Sequence, residues 1–208
     1  MKINKPKISV CDDKKLFDAY LENEFNNYHF KENIDKDMTI SNVIVDGCIF
    51  ENIDFSNINL EDIELIDVIF KNCDLSNKSF DNKMMSRVEF INCKMLGCTF
   101  IDASLHDIKF DNCILKYLNC SNTKINKVLF NECNLTEASF LEVEVRNMEL
   151  NKVNLEKTEF VKTKLSGIDF SSCDIANILF DNYSLKGIIV DKYQCYHLVY
   201  MLGVNVKE

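Results

Sequence analysis

The chain has 208 residues, 47% of them hydrophobic and 27% charged, with five Gly, one Pro and no Trp, a balance that excludes disorder and collagen-like structure and fits one folded domain. Its net charge of -9 disfavours direct binding to nucleic acid or an anionic membrane and suits a basic protein partner. Apolar runs such as Val43 to Val45 and Ile188 to Val190 are too short to cross a bilayer, and the start MKINKPKISV lacks the apolar stretch of a secretory signal, so a cytoplasmic protein is expected.

Residues 1–40 read as an N-terminal capping segment with a short helix. Asp12 or Asp13 can N-cap a helix over Lys14 to Phe25, in which Leu16, Phe17, Tyr20 and Leu21 share one stripe.

From residue 41 to residue 190 a strict five-residue period takes over. Every fifth position is apolar, from Val45, Phe50, Phe55 and Leu60 through Leu185 and Val190, 30 positions without a miss if Cys120 is counted. At this composition such a run arises by chance roughly once in ten billion trials, so the period is structural. A helix would smear a five-residue repeat around its surface, and a flat strand would flip it between faces. A second inward register lies two residues before each centre (Val43, Cys48, Ile53, Ile58), while the register two residues after it is Asn, Asp or Gly at 20 of 30 positions. Those residues tolerate the positive φ of tight corners, so each pentapeptide is one side of a coil. Phenylalanine occupies 11 of the 15 multiples of ten from Phe50 to Val190, which requires an even number of sides. Cys73, Cys93, Cys113, Cys133 and Cys173 then fall in one 20-residue column, which makes the number four. The expectation is an all-β solenoid of about seven and a half coils, some 36 Å long at about 4.8 Å per coil.

Charge is uneven along this rod. Asp46, Glu51, Asp54, Glu61, Asp62, Glu64 and Asp67 lie between residues 41 and 70 with no Lys or Arg among them, whereas residues 71–190 hold 16 acids and 15 bases. These seven acids are the candidate interaction patch. Lys78 and Lys83 occupy consecutive inward slots, with Met84 directly after, and a lysine there must snorkel out, distort the corner or find a buried partner. A bulge or altered corner over residues 76–88 is expected.

Chemistry is sparse. Seven of the ten cysteines sit in the small inward slot, where Cys acts as a small hydrophobe, and stacked neighbours about 4.8 Å apart suit neither a disulfide nor zinc. Only His29, His106 and His197 are present, and no nucleotide, metalloprotease or hydrolase motif occurs. Glu142 and Glu144 near Arg146 look like a cluster, but the repeat turns them outward. No catalytic residue, metal or cofactor is expected, and the chain reads as a non-enzyme.

Residues 191–208 form the other cap. Asp191 can cap a helix over Lys192 to Leu202, with Gly203 at the C-terminal stop. The helix is apolar on more than one face (Tyr193, Tyr196, Leu198, Val199, Tyr200, Met201 and Leu202), so capping uses only part of it and a homodimer through the remainder is expected.

Stretches such as NCDLSN at 72–77 and GIDFSSCDI at 167–175 resemble the pentapeptide-repeat family, which implies a right-handed quadrilateral β-helix with short helical caps at both ends. The tail, with Leu185, Gly187, Tyr193, Gln194, Leu198, Leu202 and Gly203, resembles the C-terminal segment of the Qnr type. That resemblance implies a dimer made by the tail and, as in the related MfpA, a rod that mimics DNA toward type II topoisomerases. Two functions follow: a rigid scaffold for an unidentified protein partner, or a DNA mimic that binds gyrase or another type II topoisomerase. A duplex 36 Å long carries about 21 phosphate charges, against a net -8 on the coils, where 15 bases meet 23 acids. The Gram-negative Qnr proteins carry loop insertions, whereas this register never breaks.

Overall fold

The computed structural model describes residues 1–9, 11–34, 36–201 and 203–204 of the chain. Its strands are β1 (Asp12–Asp13), β2 (Tyr28–Phe30), β3 (Met38–Asp46), β4 (Ile49–Glu51), β5 (Ile58–Lys71), β6 (Met84–Ile91), β7 (Ser104–Asp111), β8 (Lys124–Asn131), β9 (Ser139–Leu141), β10 (Glu144–Asn151), β11 (Glu159–Val161) and β12 (Leu179–Phe180), with helices α1 (Leu16–Glu22) and α2 (Gln194–Met201) at the ends. Every strand pair is parallel, and the partners stand twenty residues apart through most of the ladder: Leu65 pairs with Met85, Met85 with Leu105, and Leu105 with Ile125. Four pentapeptides therefore close one coil of a quadrilateral β-helix of about 8 turns.

The corners form because the turn register adopts left-handed backbone. Asn52, Asn72, Asn92 and Asn112 stand above one another at φ between 52° and 58°. Asparagine tolerates this conformation better than most residues, and here it adds a ladder. Asn72 donates its amide to Asn52 at 3.0 Å, Asn92 to Asn72 at 3.2 Å, and Asn112 to Asn92 at 2.9 Å.

Inside, the alternating Phe positions resolve into two columns. Phe50, Phe70, Phe90, Phe110 and Phe130 stack with ring centroids 4.9 to 5.0 Å apart. A second column meets them edge-on, as in Phe100 against Phe110 at 90° and Phe130 against Phe140 at 89°. Offset stacks within a column and edge-to-face contacts between columns both suit the aromatic quadrupole, so a side-to-side alternation fills the core without strain.

The small inward slot has a polar duty as well. The thiols of Cys73, Cys93, Cys113 and Cys133 face the backbone oxygens of Phe50, Phe70, Phe90 and Phe110 at 3.3 to 3.5 Å. Thr123 and Thr163 do the same with hydroxyls, donating to Phe100 and Phe140 at 2.6 and 2.8 Å. All ten cysteines are free thiols. Burial pushes Cys48 up to about 11 and Cys98 up to about 12, so these are packing groups rather than nucleophiles.

Three expectations need correction. The ladder starts well before residue 41: Phe25 and Phe30 are fully buried, Asn26 bridges Asp46, and β2 and β3 already pair with β4 and β5. The five-residue phase of Phe25, Phe30 and Ile40 continues the repeat upstream, so the cap proper ends near residue 25. Secondly, Asp12 and Asp13 do not cap the helix. They form β1 against β2, and α1 is only seven residues long, entered from Lys15 with no side-chain cap. Leu16 and Ala19 are its buried residues, whereas Leu21 is 67% exposed, because a single docked turn needs only a narrow apolar stripe. Thirdly, residues 76–88 do not bulge: β6 pairs in unbroken 20-residue register with β5 and β7 across Met85 and Val88. Lys78 snorkels out of its slot to the backbone oxygen of Ser56 at 3.3 Å, Lys83 lies half-buried and Met84 points outward. The ladder slips instead in β10, between Val145 and Met148, where Asn147 pairs with Asn126. Among the described residues no helix is long and apolar enough to cross a membrane.

Candidate protein-interaction surfaces

Twenty-residue spacing dictates the surface electrostatics, because a base one coil after an acid stands directly over it. Lys71 pairs with Glu51 at 2.6 Å, Arg87 with Asp67 at 2.5 Å, Lys94 with Asp74 at 2.8 Å, Lys152 with Glu132 at 3.1 Å and Lys162 with Glu142 at 2.7 Å. Exposed pairs add little stability, but they flatten the potential along the rod. Arg146 instead meets Glu144 two residues earlier on the same strand, at 3.4 Å.

The seven acids of the first coils do not form one patch. From Asp46 to Asp67 the chain completes a full turn, so they are spread around it. Glu51 is engaged by Lys71 and His29, and the hydrogen bond from Lys71 does most to hold its carboxyl below the usual carboxylate range. Asp67 is buried. Asp54 is exposed on another side of the coil, and Asp46, also exposed, pairs with Ile66 at the end of the side that β3 shares with β5. Glu61, Asp62 and Glu64 remain together on β5, exposed and without an ion pair among the described residues.

Asp67 is buried because the N-terminal segment lies over it, a feature with no periodic signal in the sequence. Residues 1–9 run along one corner of the rod: Met1 reaches Glu149 at 2.7 Å, the Asn4 N–H and side-chain amide both donate to Asp107 at 3.0 and 2.9 Å, the Lys7 N–H donates to Asp67 at 2.8 Å, and the Ser9 hydroxyl reaches Asn27 at 2.8 Å. Asp107 is 1% exposed and Asp67 6%. Burial alone would raise both carboxyls, yet Arg87 and the Lys7 N–H at Asp67, and Asn4 with His106 and Lys127 at Asp107, hold them below the usual range. At the head of the same corner Gly47 has φ 64°, and a Cβ there would stand 2.4 Å from the side-chain oxygen of Asn27.

At the other end the Asp191 carboxylate accepts from the N–H groups of Tyr193 and Gln194 at 2.7 and 2.9 Å, the expected cap. Gln194, whose role the sequence did not reveal, is buried and donates its amide to the backbone oxygens of Phe170 and Cys173, both at 2.8 Å. It thus serves the last coil as the inward Cys and Thr groups serve the coils before it. Leu198 packs on the core, Val199 and Met201 are half-buried, and Tyr193, Tyr196 and Tyr200 stand 58 to 68% exposed. Leu202 lies outside the described residues.

Of the three histidines, His29 contacts Glu51, His106 contacts Asp107 and His197 is exposed on α2. Among the described residues, no hydrogen bond joins a histidine to a Ser, Thr or Cys side chain, the pairing that acyl-transfer chemistry uses.

A family model described as a pentapeptide repeat region matches residues 63–140 and 83–160. No curated protein sequence matches the chain. Among solved structures, it is 25% identical to full-length QnrB1, a plasmid-mediated fluoroquinolone resistance protein, over 86% of this chain and 89% of that one, with a TM-score of 0.47. A pentapeptide repeat protein of the Arabidopsis thaliana thylakoid lumen is 22% identical over 48% of this chain and 66% of that one, with a TM-score of 0.35. HetL, a regulator of heterocyst differentiation from the cyanobacterium Nostoc, is 12% identical over 85% of this chain and 96% of that one, with a TM-score of 0.31. With a ladder that returns every twenty residues through left-handed corners, residues 63–160 form a pentapeptide repeat region, and the chain resembles the pentapeptide-repeat family.

Proposed function

We propose that the chain is a non-enzymatic interaction scaffold that pairs with a second copy through α2 and offers the β5 carboxylates to a basic protein surface. The observation that carries this reading is the outward row of Tyr193, Tyr196 and Tyr200 at a terminal helix whose buried side is already satisfied by Gln194 and Leu198. Exposed tyrosines at this density favour an interface, since each brings large apolar area at low entropic cost. Free thiols throughout suit a reducing compartment, so the cytoplasm is the proposed location. The test is the mass in solution: light scattering should give a dimer for the wild type and a monomer of unchanged melting temperature for Tyr196→Asp with Tyr200→Asp. A wild-type monomer at tens of micromolar would sink the dimer.

The carboxylates Glu61, Asp62 and Glu64 support a second reading, a DNA mimic that docks on gyrase or another type II topoisomerase. Such docking would weaken with salt and be competed by duplex DNA. A supercoiling assay with purified gyrase, with and without a quinolone, should show inhibition or drug protection that disappears when the three acids are changed to Lys. An effect that survives the charge reversal removes this strand as the contact. No effect at tens of micromolar leaves the scaffold reading alone.

A further inference from the structure

The N-terminal segment and the corner beneath it share a geometric register. An extended chain advances about 3.3 Å per residue, so three residues span about 10 Å, and two coils at the observed ring spacing of 4.9 to 5.0 Å span the same distance. Accordingly Asn4 meets Asp107 and Lys7, three residues on, meets Asp67, two coils away. Asn4 clasps both oxygens of Asp107 with one backbone and one side-chain donor. Pro6, which has no N–H to offer, falls between the two contacts, and Ile3 and Pro6 are half-buried. The carboxylates are held from below as well, Asp67 by Arg87 at 2.5 Å and Asp107 by Lys127 at 3.8 Å and His106 at 3.0 Å. Two acids 1 and 6% exposed on a solenoid corner thus lie beneath residues 1–9 and beside Arg87, His106 and Lys127.

We propose that this corner is a recognition track for an extended peptide segment of a partner protein, with Asn at one position and a free backbone N–H three residues later, and that residues 1–9 occupy it in cis and must leave before the partner enters. The segment is basic or neutral, because residues 1–9 carry Lys2, Lys5 and Lys7 and no acid on a chain of net charge -9, and an acidic occupant would meet Asp107 with like charge. Asp67 closes the corner of β5 three residues past Glu64, whereas the contacts to Asp107 and Glu149 lie two and four coils further along the rod; the track stands or falls separately from the function proposed above because its test reads the N-terminal segment and leaves Glu61, Asp62, Glu64 and α2 untouched.

The full-length chain supplies the test. Asn4→Asp sets a carboxylate against Asp107 and should release the segment, read as loss of hydrogen-exchange protection at the Lys7 amide while coil amides keep theirs. A fluorescent peptide copying residues 1–9 should bind the Asn4→Asp chain at least tenfold tighter than the wild type, and adding Asp107→Asn and Asp67→Asn in the rod should weaken that binding at least tenfold. The same peptide with Asp in place of Asn should not bind. The proposal is overturned if the Lys7 amide is unprotected in the wild type, if it stays protected in Asn4→Asp, if the released chain does not bind the peptide, or if the rod substitutions leave binding unchanged.

Discussion

At the N-terminal end of the rod a seven-residue helix buries Leu16 and Ala19 over the first coil, and a segment from the same end runs back along six coils to tie its corner down. At the C-terminal end an eight-residue helix sinks Gln194 and leaves its two tyrosines, with Tyr193 just before it, in solvent. Both ends cover an open ladder, as any solenoid must, but by different chemistry. The N-terminal cap is apolar and charged, and it spends its side chains on its own coils. The C-terminal cap satisfies the last backbone oxygens with one neutral amide and turns the rest of its surface outward. The N-terminal helix leaves one large apolar side chain, Leu21, in solvent, whereas the C-terminal end exposes three aromatic ones, the surface proposed above as the dimer contact. That contrast is the reason for placing the proposed dimer contact at the C-terminal end rather than on α1.

The strongest way to break the comparison is to remove the core that both caps depend on. Phe110 stacks on Phe90 and Phe130 and meets Phe100 edge-on, so Phe110→Asp buries a charge among three rings and should cost more than about 4 kcal/mol. Urea unfolding should find little folded chain left. A melting curve like that of the wild type would show that residue 110 does not face the core, and the twenty-residue columns would be wrong.

Smaller changes compare the caps directly. Leu16→Ala empties a fully buried site under α1 and should cost about 3 kcal/mol. Gln194→Ala leaves the Cys173 oxygen without its donor and takes one of two from the Phe170 oxygen, which keeps the Cys173 N–H at 2.9 Å, a loss of about 2 kcal/mol. Because each coil contacts only its neighbours, the damage should stay local: hydrogen exchange should quicken around β2 and β4 in the first variant and around β11 and β12 in the second. Uniform loss of protection from either variant would mean that the rod unfolds as one unit and that the ends are not energetically distinct.

The rod was legible because its signals are periodic. Val45 to Val190 gave the sides, Asn52 to Asn112 the corners, and the Cys column the number of sides per coil, each repeated often enough to outweigh single exceptions such as Cys120 or Val153. Lys78 and Lys83 misled because a long side chain can leave an inward slot without moving the backbone, whereas the real slip, at Val145 to Met148, sits among residues that keep the pattern. Contacts that join distant parts of the chain left no trace. Nothing about Asn4 announces a partner at Asp107, and Asp67 reads as one more solvated acid until the N-terminal segment is laid over it. Gln194 stood in plain view, but its duty became clear only once the carbonyls of the last coil had been counted.

The smallest expected effect separates the ends by pH. Asp67 and Asp107 both have folded-state affinities for protons lowered by their partners, so the stability they contribute is fully present above the carboxyl range of an unfolded chain, about pH 3.9, and is lost as pH falls through their lower folded values. Docking of residues 1–9 should therefore hold from neutral pH down to about pH 4 and fail below it. Gln194 has no charge to lose, so its bonds to Phe170 and Cys173 are indifferent to the same protons. Hydrogen exchange at Asn4 and Lys7, followed from pH 7 to pH 3 and corrected for intrinsic rates, should show protection collapsing at the acid end. In Asp67→Asn with Asp107→Asn the dependence should vanish. Protection that still collapses in the double variant would show that these two carboxylates do not set the acid limit of the docking.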